Sequence, residues 1–173
     1  MIRVLFVCAG NICRSPMADA VFQHMVREAG LTDHFRIDSA GTGSWHVGEP
    51  AHSGTLTVLR KNNIPYNGRA RQIDYADLDN FDYILAMDRE NLSNILRMVN
   101  RGERSAQDKM DRFYGSANHP EIALFLSYAN QAGTVSLTEV PDPYYDGRYE
   151  LVYDLVTKGC AALLDAIRQK HQI

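Results

Sequence analysis

An α/β fold is expected from this chain: a single domain over residues 1–173, with an open four-stranded parallel sheet flanked by helices on both faces. Three observations lead there. Short apolar, β-branched runs alternate with segments of helical period along most of the chain. Two of those runs, Ile2–Val7 and Tyr83–Met87, are apolar almost without interruption, as strands covered on both faces must be. The first of them runs through Cys8, Gly10, Asn11 and Arg14 into Ser15-Pro16, a strand-to-helix connection at the strand end where open parallel sheets bind ligands.

The elements follow in order. Ile2–Val7 is the first strand. Ser15 is expected to cap the first helix, with Pro16 at its first position. Met17, Val21, Met25 and Ala29 recur every four residues, and Gly30 ends the helix. Arg36–Ala40 is a second strand and residues 41–50 a glycine-rich loop. Ser53 is expected to cap a short helix to about Asn62. Tyr83–Met87 is the third strand. Asp88 then caps a helix with Leu92, Ile95, Leu96 and Val99 on one face. Residues 100–120 are polar and weakly periodic, and read as a surface excursion with a short helix. Glu121–Leu126 is read as the fourth strand, although Ile122–Leu126 fits a helix equally well. Gln131–Pro143 reads as loop. Arg148–Lys170 carries a long apolar stripe through Val152, Leu155, Val156, Cys160, Leu163, Leu164 and Ile167.

The totals narrow the function classes. The 173 residues suffice for one sizeable core. At 45% hydrophobic and 23% charged the composition is globular, and a net charge of −3 gives no basis for bulk nucleic-acid or membrane binding. Three cysteines without framework spacing fit a reducing cytoplasm. The apolar run ending at Cys8 is too short for a signal segment, and no stretch reaches membrane-spanning length. The six histidines show no ligand spacing, so neither metal nor cofactor is expected.

The Cys8–Arg14 loop carries the chemistry. A thiolate at neutral pH needs positive charge nearby, and a helix N-terminus supplies part of it. Ala9, Gly10, Asn11, Ile12, Cys13, Arg14 and Ser15 wrap one small volume, where loop N–H groups and the Arg14 fork suit a tetrahedral oxyanion. Gly10 permits close approach, Asn11 tolerates a left-handed backbone, and the Ser15 hydroxyl can donate to the Cys8 sulfur. Cysteine and arginine six apart are common by chance, and a cysteine after a strand is often a small hydrophobe. The conjunction of strand, Cys, Gly, Asn, Arg, Ser-Pro and helix favours an anion-binding nucleophile loop. No Gly-x4-Gly-Lys phosphate loop is present, and the glycines at 41, 43 and 48 do not match a dinucleotide fingerprint.

Val-Cys-Ala-Gly-Asn-Ile-Cys-Arg-Ser-Pro-Met-Ala at 7–18 resembles the signature of the low-molecular-weight protein tyrosine phosphatases. Asp38–Thr42, Trp45–Gly48, Arg69–Ile73, Tyr83–Asp88 and Asp142–Tyr145 continue the resemblance in family order, over nearly the whole chain. The excursion at 100–120 is longer than the family pattern.

The resemblance implies that Cys8 attacks phosphorus to form a phosphocysteine, and that Arg14 and the loop amides hold the equatorial oxygens. It makes Asp142 the acid that protonates the leaving phenolate and then the base that activates water. Donation needs Asp142 protonated while Cys8 is a thiolate, which places activity on the acidic side of neutral. On its own, Asp142-Pro143 reads as a turn. Asn11, Ser15 and Ser39 become the polar brace of the loop; Ser39 alone reads equally as a serine bonded to local backbone. Ile12, Trp45, His46, Tyr144 and Tyr145 become the substrate pocket, where aromatic walls suit a phenyl phosphate. Without the motifs those aromatics are ordinary loop residues. Cys13 is implied as a reversible disulfide partner of Cys8 that protects it from over-oxidation, and equally reads as a buried thiol supporting the loop. Cys160 reads as core, and Asp88 as a helix cap whose motif position allows a supporting role.

The implied partners are a phosphotyrosyl protein or peptide as substrate and inorganic phosphate as product and competitor, with the protein a cytoplasmic monomer. Three alternatives stand beside this. Arsenate reduction on the same fold usually needs resolving cysteines near residues 80–90, which the chain lacks. Protein arginine phosphatases usually carry Thr where Ile12 stands and lack the Tyr144-Tyr145 pair. A non-catalytic phosphate-binding module needs neither a thiol nor an acid.

Overall fold

The computed structural model describes residues 1–102 and 119–173. Its sheet is parallel throughout, in the order β2-β1-β3-β4, formed by β1 (Ile2–Cys8), β2 (Phe35–Gly41), β3 (Tyr83–Ala86) and β4 (Glu121–Leu124). The chain leaves β1 toward β2 on one side and returns to place β3 on the other. That reversal puts a topological switch point at the carboxyl end of β1, where Cys8 sits.

Side chains alternate across the sheet. Val4, Phe6 and Cys8 face one layer, made by α1 (Arg14–Glu28) and the long carboxyl-terminal helix, Tyr149–His171. Leu5 and Val7 face the other, with Leu78 and Phe81 at α3 (Asp77–Asn80) and Ile95 of α4 (Arg89–Gly102). The expected helices on both faces are therefore present. In the first layer Phe6 meets Phe22 and Phe125 edge-on, with ring centroids 5.7 and 5.4 Å apart. The α1 helix ends as expected: Gly30 takes φ +70°, the Gly30 amide donates to the Arg27 carbonyl, and the Leu31 amide donates to the Val26 carbonyl.

Several boundaries differ from expectation. Ser15 does not cap α1; Cys13 occupies the cap position without a side-chain hydrogen bond, because the Ser15 hydroxyl is turned toward the Cys8 sulfur. Ser53 does not cap α2 (Ser53–Lys61) either. His52 does, its Nδ1 accepting the Gly54 amide at 3.0 Å. β4 stops at Leu124 rather than Leu126, since Phe125 and Leu126 turn into the core beneath the final helix. Two short helices that the sequence reading did not assign flank the expected Gln131–Pro143 loop: α5 (Ser127–Gln131) and α6 (Pro143–Asp146). The final helix, α7, is Tyr149–His171. Asp88 behaves as expected, its Oδ1 accepting the Asn91 amide at 2.8 Å. Residues 103–118, the greater part of the expected excursion, lie outside the described residues.

Candidate active site

The loop from Cys8 to Arg14 leaves β1 and enters α1 under one continuous hydrogen-bond network. Cys8 is buried, with its sulfur 3.0 Å from the Ser15 hydroxyl and accepting the Asn11 amide at 3.3 Å. Asn11 holds the bend at φ +56°, a left-handed conformation that asparagine tolerates. Its Nδ2 donates to Ser15 Oγ at 2.9 Å and to Ser39 Oγ at 3.0 Å, while its Oδ1 accepts the Arg71 amide at 2.9 Å. Three chain segments thus fix one loop residue. Asn11, Ser15 and Ser39 come together beneath the loop as expected.

Arg14 is as buried as Cys8. Its Nη1 donates to Asp88 Oδ2 at 2.6 Å and to the Val140 carbonyl at 3.0 Å, and its Nη2 donates to Asp142 Oδ2 at 3.3 Å. Burial opposes its charge, but Cys8, Asp88 and Asp142 outweigh that and hold the guanidinium above its usual pKa. Asp142 also caps α6, its Oδ1 accepting the Tyr144 amide at 3.1 Å. The turn reading of Asp142-Pro143 and its place beside Arg14 therefore both hold: the cap is what aims the carboxylate.

Above the loop opens a cavity of about 300 Å³. Cys8, Ala9, Gly10, Ile12, Cys13, Arg14, Trp45, His46, Asp142, Tyr144 and Tyr145 line it, which includes every residue expected in the pocket. Trp45 and Tyr145 stand strongly exposed at its mouth. His46 lies over Gly10, where an added Cβ would come within 2.9 Å of the ring, and its Nδ1 is 2.9 Å from Glu49 Oε2. The absent side chain of Gly10 is what seats the imidazole. Cys13 sits on the same loop with its sulfur 3.7 Å from the Tyr149 hydroxyl. Burial pushes the Cys13 thiol up to about 11, against the lowering effect of that hydroxyl. Cys160 is fully buried on α7, as expected of a core residue, and burial likewise raises its thiol. Among the described residues no group of three or more His, Cys, Asp or Glu is arranged to hold a metal ion, and no helix is long and apolar enough to cross a membrane.

Sequence reasoning missed several supporting residues. Asp19 is buried on α1, accepting from Gln23 Nε2 at 2.6 Å, Tyr66 Oη at 2.9 Å and Ser39 Oγ at 3.2 Å. The signal was available: an acid between Met17 and Val21, on the face of a helix that is otherwise apolar. Arg71 is clamped by Asp77 and Asp38, which steadies the segment whose backbone holds Asn11. Behind Cys13, the Tyr149 hydroxyl lies 2.8 Å from His52 Nδ1, and no local pattern marks that pair.

Comparison with known proteins agrees with the geometry. The family described as low molecular weight phosphotyrosine protein phosphatase matches residues 3–173. The low molecular weight protein-tyrosine-phosphatase YfkJ of Bacillus subtilis is 42% identical over 174 residues, covering 100% of both chains. PtpA of Staphylococcus aureus, named likewise, is 38% identical over 167 residues, covering 96% of this chain and 94% of its own. The crystal structure of YfkJ superposes with a TM-score of 0.83, covering 98% of this chain and 96% of that one. A Drosophila arginine phosphatase superposes with a TM-score of 0.79 at 30% identity, covering 97% and 98%. With a family match spanning nearly every residue and a cysteine–arginine loop at the switch point of the sheet, this chain belongs to the low molecular weight phosphotyrosine protein phosphatases.

Proposed function

We propose that the protein hydrolyses phosphotyrosine in proteins or peptides through a phosphocysteine on Cys8. The observation that carries this reading is the convergence of Cys8, Arg14 and Asp142 on one cavity. The Cys8 thiolate attacks phosphorus from the floor of the pocket, and the bond to the aryl oxygen breaks. Arg14 and the loop amides (Ala9 to Ser15) hold the three equatorial oxygens as charge redistributes. Asp142 gives its proton to the leaving phenolate. The resulting carboxylate takes a proton from the water that attacks the phosphocysteine, and phosphate leaves with the thiolate restored.

The Ser15 hydroxyl and the Asn11 amide are placed to stabilise the thiolate, and Asp88 orients Arg14 by its 2.6 Å contact. Ile12, Trp45, His46, Tyr144 and Tyr145 enclose a flat phenyl ring, which favours an aryl ester over phosphoarginine or arsenate. Inorganic phosphate is product and competing ligand. The protein acts as a cytoplasmic monomer without metal or cofactor, and nucleic acid and membrane are not partners. Peroxide converts Cys8 to a sulfenic acid, and Cys13 closes a disulfide onto it with loss of water, which makes the enzyme redox-sensitive.

Parallel assays on a phosphotyrosyl peptide, a phosphoarginyl peptide and arsenate with added thiol test the substrate class. Turnover predominantly of the tyrosyl ester is expected; a dominant rate on either other substrate would overturn the assignment. In the same assay Cys8→Ser abolishes activity in a folded protein. Asp142→Asn slows turnover by roughly 10²-fold or more while inorganic phosphate still binds. Full activity in either variant contradicts the role given to that residue.

A further inference from the structure

We propose that the groove running from the mouth of the phosphate pocket to Leu137 and Leu151 seats the polypeptide flanking the phosphotyrosine, and that an apolar side chain of the substrate lies between the two leucines. This rests on the phosphotyrosine reading above. The groove encloses about 820 Å³ and shares Ala9, Arg14, Trp45, Asp142 and Tyr145 with the pocket, so it is continuous with the pocket mouth. The pocket itself, about 300 Å³, takes the phosphorylated side chain and leaves the substrate backbone outside, between Trp45 and Tyr145. Val140, Pro141 and the two leucines line the same groove.

Leu137 and Leu151 are 45% and 38% exposed. A lone exposed leucine is ordinary. Two leucines lining one trough, beside the place where a bound polypeptide must emerge, form an apolar seat. Leu137 comes from the segment between α5 and α6 and Leu151 from the first turn of α7, so two elements build it. The two arginines that line it are paired, Arg14 with Asp88 at 2.6 Å and Asp142 at 3.3 Å and Arg148 with Asp146 at 2.7 Å, and the lining Glu139 is taken by Arg89 at 2.6 Å. Glu90 adds an exposed carboxylate to the lining, which disfavours an acidic flank. Apolar contact is therefore the main source of selection. Occupancy of the groove also covers Asp142 from the solvent side, beside the oxygen it must protonate.

Steady-state kinetics on phosphotyrosyl peptides that differ by a single leucine, glycine or aspartate at successive flanking positions test this, with p-nitrophenyl phosphate as the reference. One position is expected where leucine exceeds glycine by roughly tenfold in kcat/KM, carried by KM, with aspartate below glycine. The double variant Leu137→Ser, Leu151→Ser should erase that preference and leave p-nitrophenyl phosphate turnover unchanged. No leucine preference in the wild type, or a preference that survives the double substitution, would overturn the groove. A double variant slow on p-nitrophenyl phosphate too would also overturn it, assigning the leucines to the fold. A wild type that leaves every phosphotyrosyl peptide intact removes the phosphotyrosine reading as well; one that hydrolyses them all equally removes the groove alone.

Discussion

Asp19 is a buried carboxylate whose neighbours hydrogen-bond it without a cation. Burial raises its pKa from 3.8 to about 6, with Asp38 adding repulsion, while Gln23, Tyr66 and Ser39 pull the other way. Because the folded state holds the proton more tightly than the unfolded chain, stability from this group is complete below about pH 4. It is lost as the pH rises through about 6. Asp19→Asn removes that dependence. Urea unfolding of the two proteins should therefore shift in favour of the variant as the pH rises from 4 to 7, and a pH-independent difference would contradict the argument. Cys13 gives a second test at this scale. With its thiol at about 11, its thiolate fraction grows nearly tenfold per pH unit across the neutral range. Once Cys8 is a sulfenic acid, closure of the Cys8–Cys13 disulfide, followed by intact mass, should accelerate steeply between pH 6 and 9. A flat rate would place another group in control of that step.

Single residues also mark where sequence reading was strong. The meeting of Cys8, Arg14 and Asn11 in one buried loop was legible because each residue type suits a local position: a thiol at the strand end, a fixed fork at the helix start, a left-handed bend between them. Ser15 was half legible. Its type and position fit a helix cap, but the hydroxyl serves the sulfur instead, a choice set by the folded loop. The approach of Asp142 to Arg14 spans 128 residues, and no local spacing encodes it.

At the level of elements, strands and long helices were read from periodicity, and their boundaries were not. Ile122 to Leu126 is apolar throughout, so nothing local shows that Phe125 and Leu126 leave the sheet to pack beneath α7. The short helices α5 and α6 are too brief to show a period. Packing governs α7 in the same way. Gly159 is buried there, and an added Cβ would lie 2.5 Å from Phe125 Cζ. Alanine is the better helix former by about 1 kcal/mol, but overpacking typically costs about 1–3 kcal/mol. Gly159→Ala should lower stability by up to about 2 kcal/mol in chemical denaturation, and a stabilised variant would mean that Phe125 moves aside freely.

Across the whole molecule, the reversal of strand order at β1 gathers the site. It opens a crevice at the carboxyl end of β1, into which the loop, the Trp45 segment and the Asp142 cap all converge. The α/β class was legible from alternation alone; the crevice follows from strand order, which alternation does not specify. In the proposed mechanism this crevice makes Cys8 the group that carries phosphate. Rapid acid quenching of the Asp142→Asn variant during turnover of p-nitrophenyl phosphate, followed by peptide mass analysis, tests it most directly. A phosphate adduct on the peptide containing Cys8, absent in Cys8→Ser, is predicted; continued turnover with the adduct on another residue, or with none, would contradict the account.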